Sequence, residues 1–291
     1  MRKTKKGLEE GGNRDIILDE VMNKINDIAV FVNSFDGYCD LWDVFWDIFD
    51  KYGSDCPFRK YSVSNELDYI RPGVINIKVG EEVNWFERTI KAIKEVKEEF
   101  FILFLEDYFI SKRIDFNEIQ RITGRMKEEG IFFYRLSMRS GLPKNKSFVQ
   151  IPANSDYPIT LQLAIWKREV FERIVTELHN EGCSSPWDFE LYLKNNYRYC
   201  PPEDGMLSGI WFDTRDILGY KNGVLRGQWF PDIIKFYSRQ GIDFSKSERK
   251  IMSSVQLLRY KVICFVSSSF SKTSKERINS LLLKLKIKNS I

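Results

Sequence analysis

Two groups of carboxylates have the residue types and the spacing to do chemistry. The first closes the run Phe100-Phe101-Ile102-Leu103-Phe104-Leu105, which is followed at once by Glu106, Asp107, Tyr108 and Phe109. An apolar run this short cannot span a bilayer, and it reads as a strand buried on both faces. Such strands occupy the middle of parallel sheets covered by helices. Ligands of an open α/β sheet bind outside the carboxyl ends of its strands, so Glu106 and Asp107 would stand at the mouth of a crevice. Adjacent carboxylates there suit a hard divalent cation that itself holds phosphates. An acidic turn after a core strand gives the same pattern without a ligand. The second group is Ser184-Ser185-Pro186-Trp187-Asp188-Phe189-Glu190. Ser at the N-cap, Pro at the first position and Asp at the third mark the start of a helix. Asp188 already has a capping task there. Glu190 has none, and lies roughly 200° further round the helix at 3.6 residues per turn.

These groups must be positioned by the elements around them. Ile28 to Val32 is a short apolar strand running into the polar, aromatic loop Asn33-Ser34-Phe35-Asp36-Gly37-Tyr38. Such a loop can hold a nucleotide by stacking and hydrogen bonds, or can be an ordinary βα connection. Neither GxxxxGK[ST] nor GxGxxG occurs, which excludes a P-loop and disfavours a dinucleotide fingerprint. Residues 41–52 show helical spacing, with Asp40 as the expected N-cap. Tyr61 to Ser64 is a second strand ending in Asn65 and Glu66, and Val74 to Ile77 a third. Asn84 caps a helix expected from Trp85 to about Glu98, with Phe86, Ile90, Ile93 and Val96 inward. On it, Arg88 either pairs with Asn84 or Glu95 in solvent or serves phosphate oxygens.

Further on, Asp115 and Glu118 form a capping-box pattern opening a helix to about Glu129. Phe132 to Leu136 is another strand. Residues 139–158 read as a long loop, Thr160 to Trp166 as strand-like, and Lys167 to about Asn180 as a helix holding the single His179, expected at the surface. Residues 209–230 are short apolar pieces broken by glycines, and Phe230 to Arg239 is helical. The alternation of strands and helices argues for an α/β fold with a mostly parallel central sheet flanked by helices.

Composition sets the remaining bounds. In 291 residues, 43% hydrophobic content supplies a core and 30% charged content a soluble surface. From Lys246 onward there are eleven Lys or Arg against two acids, a net +9 that leaves the first 245 residues at −5. We therefore expect one domain over 1–245, with residues 1–14 flexible, and a basic amphipathic helical tail over 246–291. Leu257 to Ile263 and Leu281 to Lys288 mix apolar and basic residues as segments on anionic membrane surfaces do. The acidic body argues against nucleic acid. The five cysteines form no CxxC pair, and their odd number argues for a reducing, cytoplasmic setting, with peripheral attachment to the inner face of the cell membrane through the tail.

In order, the elements Val32-Asn33-Ser34-Phe35-Asp36, Val63-Ser64-Asn65, Trp85-Phe86-Glu87-Arg88, Leu105-Glu106-Asp107-Tyr108 and Pro186-Trp187-Asp188-Phe189-Glu190 resemble those of bacterial sugar-nucleotide-dependent glycosyltransferases of the GT-A fold that build surface polysaccharides. The resemblance covers roughly residues 27–240. It implies a GT-A-like domain that moves a sugar from a nucleoside diphosphate sugar to a hydroxyl of a glycan or lipid-linked acceptor. Asn33, Ser34, Phe35, Asp36, Asn65, Trp85, Arg88, Glu106 and Asp107 would line the donor site. Asp107 and Glu106 correspond to the DxD motif that binds Mn²⁺ or Mg²⁺, although Tyr108 stands where the second Asp usually lies. Inverting transfer needs a carboxylate base: Glu190, with Asp188 in reserve. Trp187 would be an apolar wall for the acceptor sugar, or part of the core. The alternative is a non-catalytic carbohydrate- or partner-binding protein on the same scaffold.

Overall fold

A computed structural model describes residues 27–81, 84–137, 147–194 and 196–269. The chain forms two compact units, Met1–Lys221 and Asn222–Ile291. The expected boundary at 245/246 falls within the second unit. The expectations for residues 1–14 and for Leu281 to Lys288 lie outside the described residues.

The first unit is built on a nine-stranded sheet. β1 (Ile28–Val32) and β4 (Phe100–Phe104) are wholly buried and adjacent, in parallel register from Ile28 opposite Phe100 to Val32 opposite Phe104. β2 (Arg59–Ser64) and β3 (Val74–Lys78) extend the parallel part to an edge at β3. A two-residue strand, β5 (Tyr108–Phe109), follows the acidic turn. Beyond β4 come β8 (Ala164–Lys167), β6 (Phe133–Arg135), β10 (Met206–Phe212) and β7 (Val149–Pro152), with β9 (Pro202–Glu203) on β10. β8 is antiparallel to both β4 and β6, β10 is parallel to β6, and β7 and β9 are antiparallel to β10. The sheet is therefore mostly parallel, and the α/β class expected from the sequence is the one observed.

Helices cover both faces. Phe45 and Phe49 of α1 (Trp42–Gly53) pack on Phe104, whereas Phe101 and Leu103 face the core shared by α2 (Trp85–Ile93), α4 (Arg168–Asn180) and α5 (Pro186–Leu193). This division is the two-residue period of a strand buried on both sides. α3 (Phe116–Glu128) opens on Asp115, whose side chain accepts the Glu118 N–H at 3.1 Å.

Several local expectations are corrected. Asp40 does not cap α1: a 3-10 turn over Asp36–Leu41 runs directly into the helix, whose N-cap position is Leu41. The loop expected over 139–158 contains strand β7. β10 occupies a stretch that glycines made look broken. Gly209 sits within it at φ +71, and a Cβ there would lie 2.5 Å from the Phe132 ring. Its register shifts between Met206 and Trp211, so the glycine serves a bulge rather than ending the strand. His179 is half-buried, stacked on Phe86 with centroids 6.3 Å apart.

In the second unit, Val224–Leu225 pairs with Gln228–Trp229 in a tight hairpin. It is followed by α6 (Pro231–Ser238) and α7 (Ser254–Ser269). Trp229 anchors the unit: its N–H donates to Lys250 O, its carbonyl accepts from Met252 N–H, and its indole donates to Ser247 Oγ at 3.0 Å. Among the described residues no helix is long and apolar enough to cross a membrane.

Candidate functional site

The carboxyl ends of β1, β2 and β4 bring the polar loop, Asn65 and the acidic turn side by side. Val32 lies opposite Phe104, and the next residue, Asn33, donates its N–H to Phe104 O at 2.9 Å. Asn33 is buried. Its Nδ2 donates to Thr89 Oγ1 of α2 at 2.9 Å, while its Oδ1 has no hydrogen-bond partner among the described residues. Ser34 Oγ accepts the Trp42 indole N–H at 2.8 Å. Asp36 ties the loop to the end of β2. One carboxylate oxygen accepts from Asn65 N–H at 2.8 Å, the other from Glu66 and Leu67 N–H at 2.9 and 3.0 Å, and Asn65 Oδ1 accepts the Asp36 N–H in return. Asp36 thus holds the loop in shape through backbone amides.

Arg88 is not on a solvated face. It is 5% exposed, and its guanidinium lies 4.8 Å from the centroid of the Phe35 ring. A buried cation resting on an aromatic face is held in one place. Trp85 is buried in the core against Phe86 and Phe189.

The acidic turn divides its two members. Glu106 is 7% exposed, whereas Asp107 is half-buried. Among the described residues no group of three or more His, Cys, Asp or Glu could hold a metal ion. The donor set at the turn is therefore two adjacent carboxylates. Two carboxylates would leave most positions of a hard cation such as Mg²⁺ to diphosphate oxygens and water.

The helix α5 packs through Phe189 on Trp85 and Phe86 of α2. Ser185 and Asp188 form the expected capping box: Ser185 Oγ accepts the Asp188 N–H, and Asp188 Oδ2 accepts from Ser185 N–H at 2.8 Å and Ser184 N–H at 3.0 Å. These bonds hold the Asp188 carboxyl below its ordinary pKa. Glu190 is mostly buried. Its Oε1 accepts the Leu161 N–H at 3.0 Å, and burial raises its pKa against the opposing pull of that bond and of the Arg135 charge. Trp187 is 72% exposed and Leu191, one turn on, is 61% exposed, so Trp187 is not core.

Two residues absent from the sequence-based site belong to the same region. Tyr108 is buried, packs edge-on to Tyr220 with ring centroids 5.0 Å apart, and its phenol is pushed above its ordinary pKa chiefly by burial. Arg135, at the carboxyl end of β6, is buried, bonds Ser137 and Gln162, and stacks on Phe212 at 5.2 Å. A charged residue closing an expected strand was the available signal for Arg135. Tyr108, next to the acidic pair, passes in sequence for an ordinary aromatic.

No family model matches the chain, and no curated protein matches it. Among solved structures, it is similar to S. aureus TarS 1-349, at 12% identity over 65% of this chain and 60% of that one, with a TM-score of 0.41. A second structure of that protein, in complex with UDP, matches at 13% identity over 52% and 48%, with a TM-score of 0.36. A cytidylyltransferase from Leptospira borgpetersenii serovar Hardjo-bovis matches at 9% identity over 78% of this chain and 99% of that one, with a TM-score of 0.37. The chain spans about 60% of the length of TarS 1-349. These are likenesses of chain course, and the functional reading below rests on the residues.

Proposed function

We propose that the first unit is a glycosyltransferase. It would move a sugar from a nucleoside diphosphate sugar to a hydroxyl of a glycan or lipid-linked acceptor in bacterial surface polysaccharide synthesis. The observation that carries the reading is the juxtaposition of the Asn33–Asp36 loop, Asn65 and the Glu106–Asp107 turn at the carboxyl ends of β1, β2 and β4. This is where an α/β sheet binds ligands. Phe35 offers a flat face for a base, and the buried Asn33 Oδ1 offers an acceptor for a ligand N–H. The Arg88 charge would balance the diphosphate. Asp107, with Glu106 behind it, would hold a divalent cation, whose chemistry is to stabilise the charge of the departing diphosphate.

Glu190 would take the proton of the acceptor hydroxyl as its oxygen attacks the anomeric carbon. The bond to the diphosphate breaks on the opposite side, and the electron pair leaves with the diphosphate. A carboxylate raised by burial is a stronger base than a free one, and a positioned base contributes roughly 10²–10⁴-fold. Capping accounts for Asp188, which leaves the base role to Glu190. Trp187 would meet the acceptor at the exposed face of the same helix, and the basic tail would bring the enzyme to an anionic membrane. The incomplete acidic motif, with Tyr108 at its third position, favours as second reading a protein that binds the same ligands without transfer.

The test is a thermal-shift screen of nucleoside diphosphates with and without Mn²⁺ or Mg²⁺. A ligand at a hundred times its Kd adds about 2.7 kcal/mol, a rise of roughly 5–10 °C at 2–4 °C per kcal/mol. No shift with any nucleoside diphosphate at millimolar concentration would overturn the donor-site reading. A shift without turnover would select the non-catalytic one.

A further inference from the structure

A second concavity lies away from the acidic turn. It is a cleft of about 660 Å³ between the edge strand β3, its neighbour β2, and the end of α2 with the turn that follows. That volume is within the usual range of ligand sites. Its lining is cationic: among the described residues Arg59, Lys78, Lys91, Lys94 and Lys97 stand against one acid, Glu95. Two of the five cations are already matched, Arg59 by Glu98 at 2.8 Å and Lys78 by Asp68 at 2.8 Å.

The other three form a rim at every third residue. Lys91 Nζ donates to Val79 O and Lys97 Nζ to Lys94 O, each at 3.3 Å, and Lys94 has no ion pair among the described residues. Backbone carbonyls orient two of these ammonium groups without neutralising them. The C-terminal end of a helix favours cations in its last turn, which accounts for Lys91. Lys97 lies beyond that turn, and the dipole does not explain a concave floor made by the buried Tyr61 and Ile77. Lysine acts as a mobile point charge, whereas arginine reads planar anions through a fixed fork. Among the described residues the one guanidinium of the lining is committed to Glu98. A site of this kind recognises charge density rather than the shape of one anion.

We propose that this cleft binds a flexible polyanion, a chain carrying repeated phosphate or carboxylate groups, along the rim of Lys91, Lys94 and Lys97. The lining includes Val79, next to Gly80, whose carbonyl accepts from Asn65 Nδ2 at 3.4 Å. A chain lying in it would therefore run toward the carboxyl edge of the sheet. The proposal stands independently of the transferase reading, because it uses none of the residues of that site as ligands.

The experiment is lysine footprinting of the full-length, unmodified protein by acetylation, with and without inorganic polyphosphate of fixed length. Lys91, Lys94 and Lys97 should lose at least nine-tenths of their labelling at low salt, and poly-L-glutamate of equal charge should protect the same three. The variant K91Q/K94Q/K97Q should bind polyphosphate at least tenfold more weakly, with a shallower dependence on salt, because fewer counterions are exchanged. The basic tail is the competing site, so K284Q/K286Q/K288Q is the control and should leave protection of the rim unchanged. Unaltered labelling of the three rim lysines overturns the proposal. So does protection by polyphosphate but not by polyglutamate, or binding lost in the tail variant and kept in the rim variant.

Discussion

The sharpest consequence of the site concerns Glu190. Glu190→Gln removes the base but keeps an oxygen that can accept the Leu161 N–H now bonded at 3.0 Å. The fold should survive, and turnover should fall roughly 10²–10⁴-fold while donor binding is retained. Glu190→Ala differs in a defined way: it strips a buried N–H of its partner, at about 1–3 kcal/mol. That is roughly 2–12 °C in Tm at 2–4 °C per kcal/mol. The pH dependence has a definite sign. Burial raises the folded pKa of Glu190 above the ordinary 4.5. The folded state therefore holds this proton more tightly, and the contribution of Glu190 to stability falls as pH rises from about 4.5 through the folded value. Glu190→Gln should gain stability relative to wild type across that window. Over the same range wild-type turnover should rise, with an acid limb above the pH of an ordinary glutamate, and the residual rate of the Gln variant should lack that limb. The assay is release of nucleoside diphosphate over pH, beside thermal melts of all three proteins. Turnover of Glu190→Gln within threefold of wild type, or an unchanged acid limb, would refute the base assignment and leave Glu190 as a structural anchor for Leu161.

Three further outcomes are expected. Asp107→Asn should abolish transfer with melting unchanged, because it keeps shape and removes charge at a half-buried position; normal turnover in the purified variant would sink the donor-site assignment. Trp187→Ala should leave Tm unchanged, since the side chain is 72% exposed, and should raise the acceptor KM severalfold but not the donor KM; equal acceptor KM values would reject contact with the acceptor. A chain ending at Ser269 loses Lys272, Lys275, Arg277, Lys284, Lys286 and Lys288, and should stay folded but bind anionic liposomes less than the full chain does; equal binding would remove the membrane role of the tail. A cut near Phe244 is a poor choice, because it deletes the Lys250 and Met252 partners of the Trp229 backbone.

What the sequence alone determined is local. The caps at Asn84, Asp115 and Ser185 each accept a backbone N–H three residues on, so both partners lie within one helical turn and the helix starts can be read directly. The buried strand Phe100–Phe104 and its acidic end are legible for the same reason: a continuous apolar run needs no distant partner to be recognised. The tertiary structure decided what depends on neighbours far along the chain. Phe35 receives the Arg88 guanidinium from 53 positions away, and this buries a residue whose helical context alone reads as solvated. Trp187 is exposed because Phe189 and Leu193, not Trp187, face the core, a choice set by how α5 packs on α2 and α4. β10 forms around a glycine because β6 and β7 supply its hydrogen bonds. Glu190 meets the Leu161 N–H, 29 positions away in the chain, only because α5 folds back to that segment. Hydrogen-bond caps and hydrophobic runs act within a few residues, whereas burial and charge depend on every element that reaches the same point, and only the folded chain specifies those.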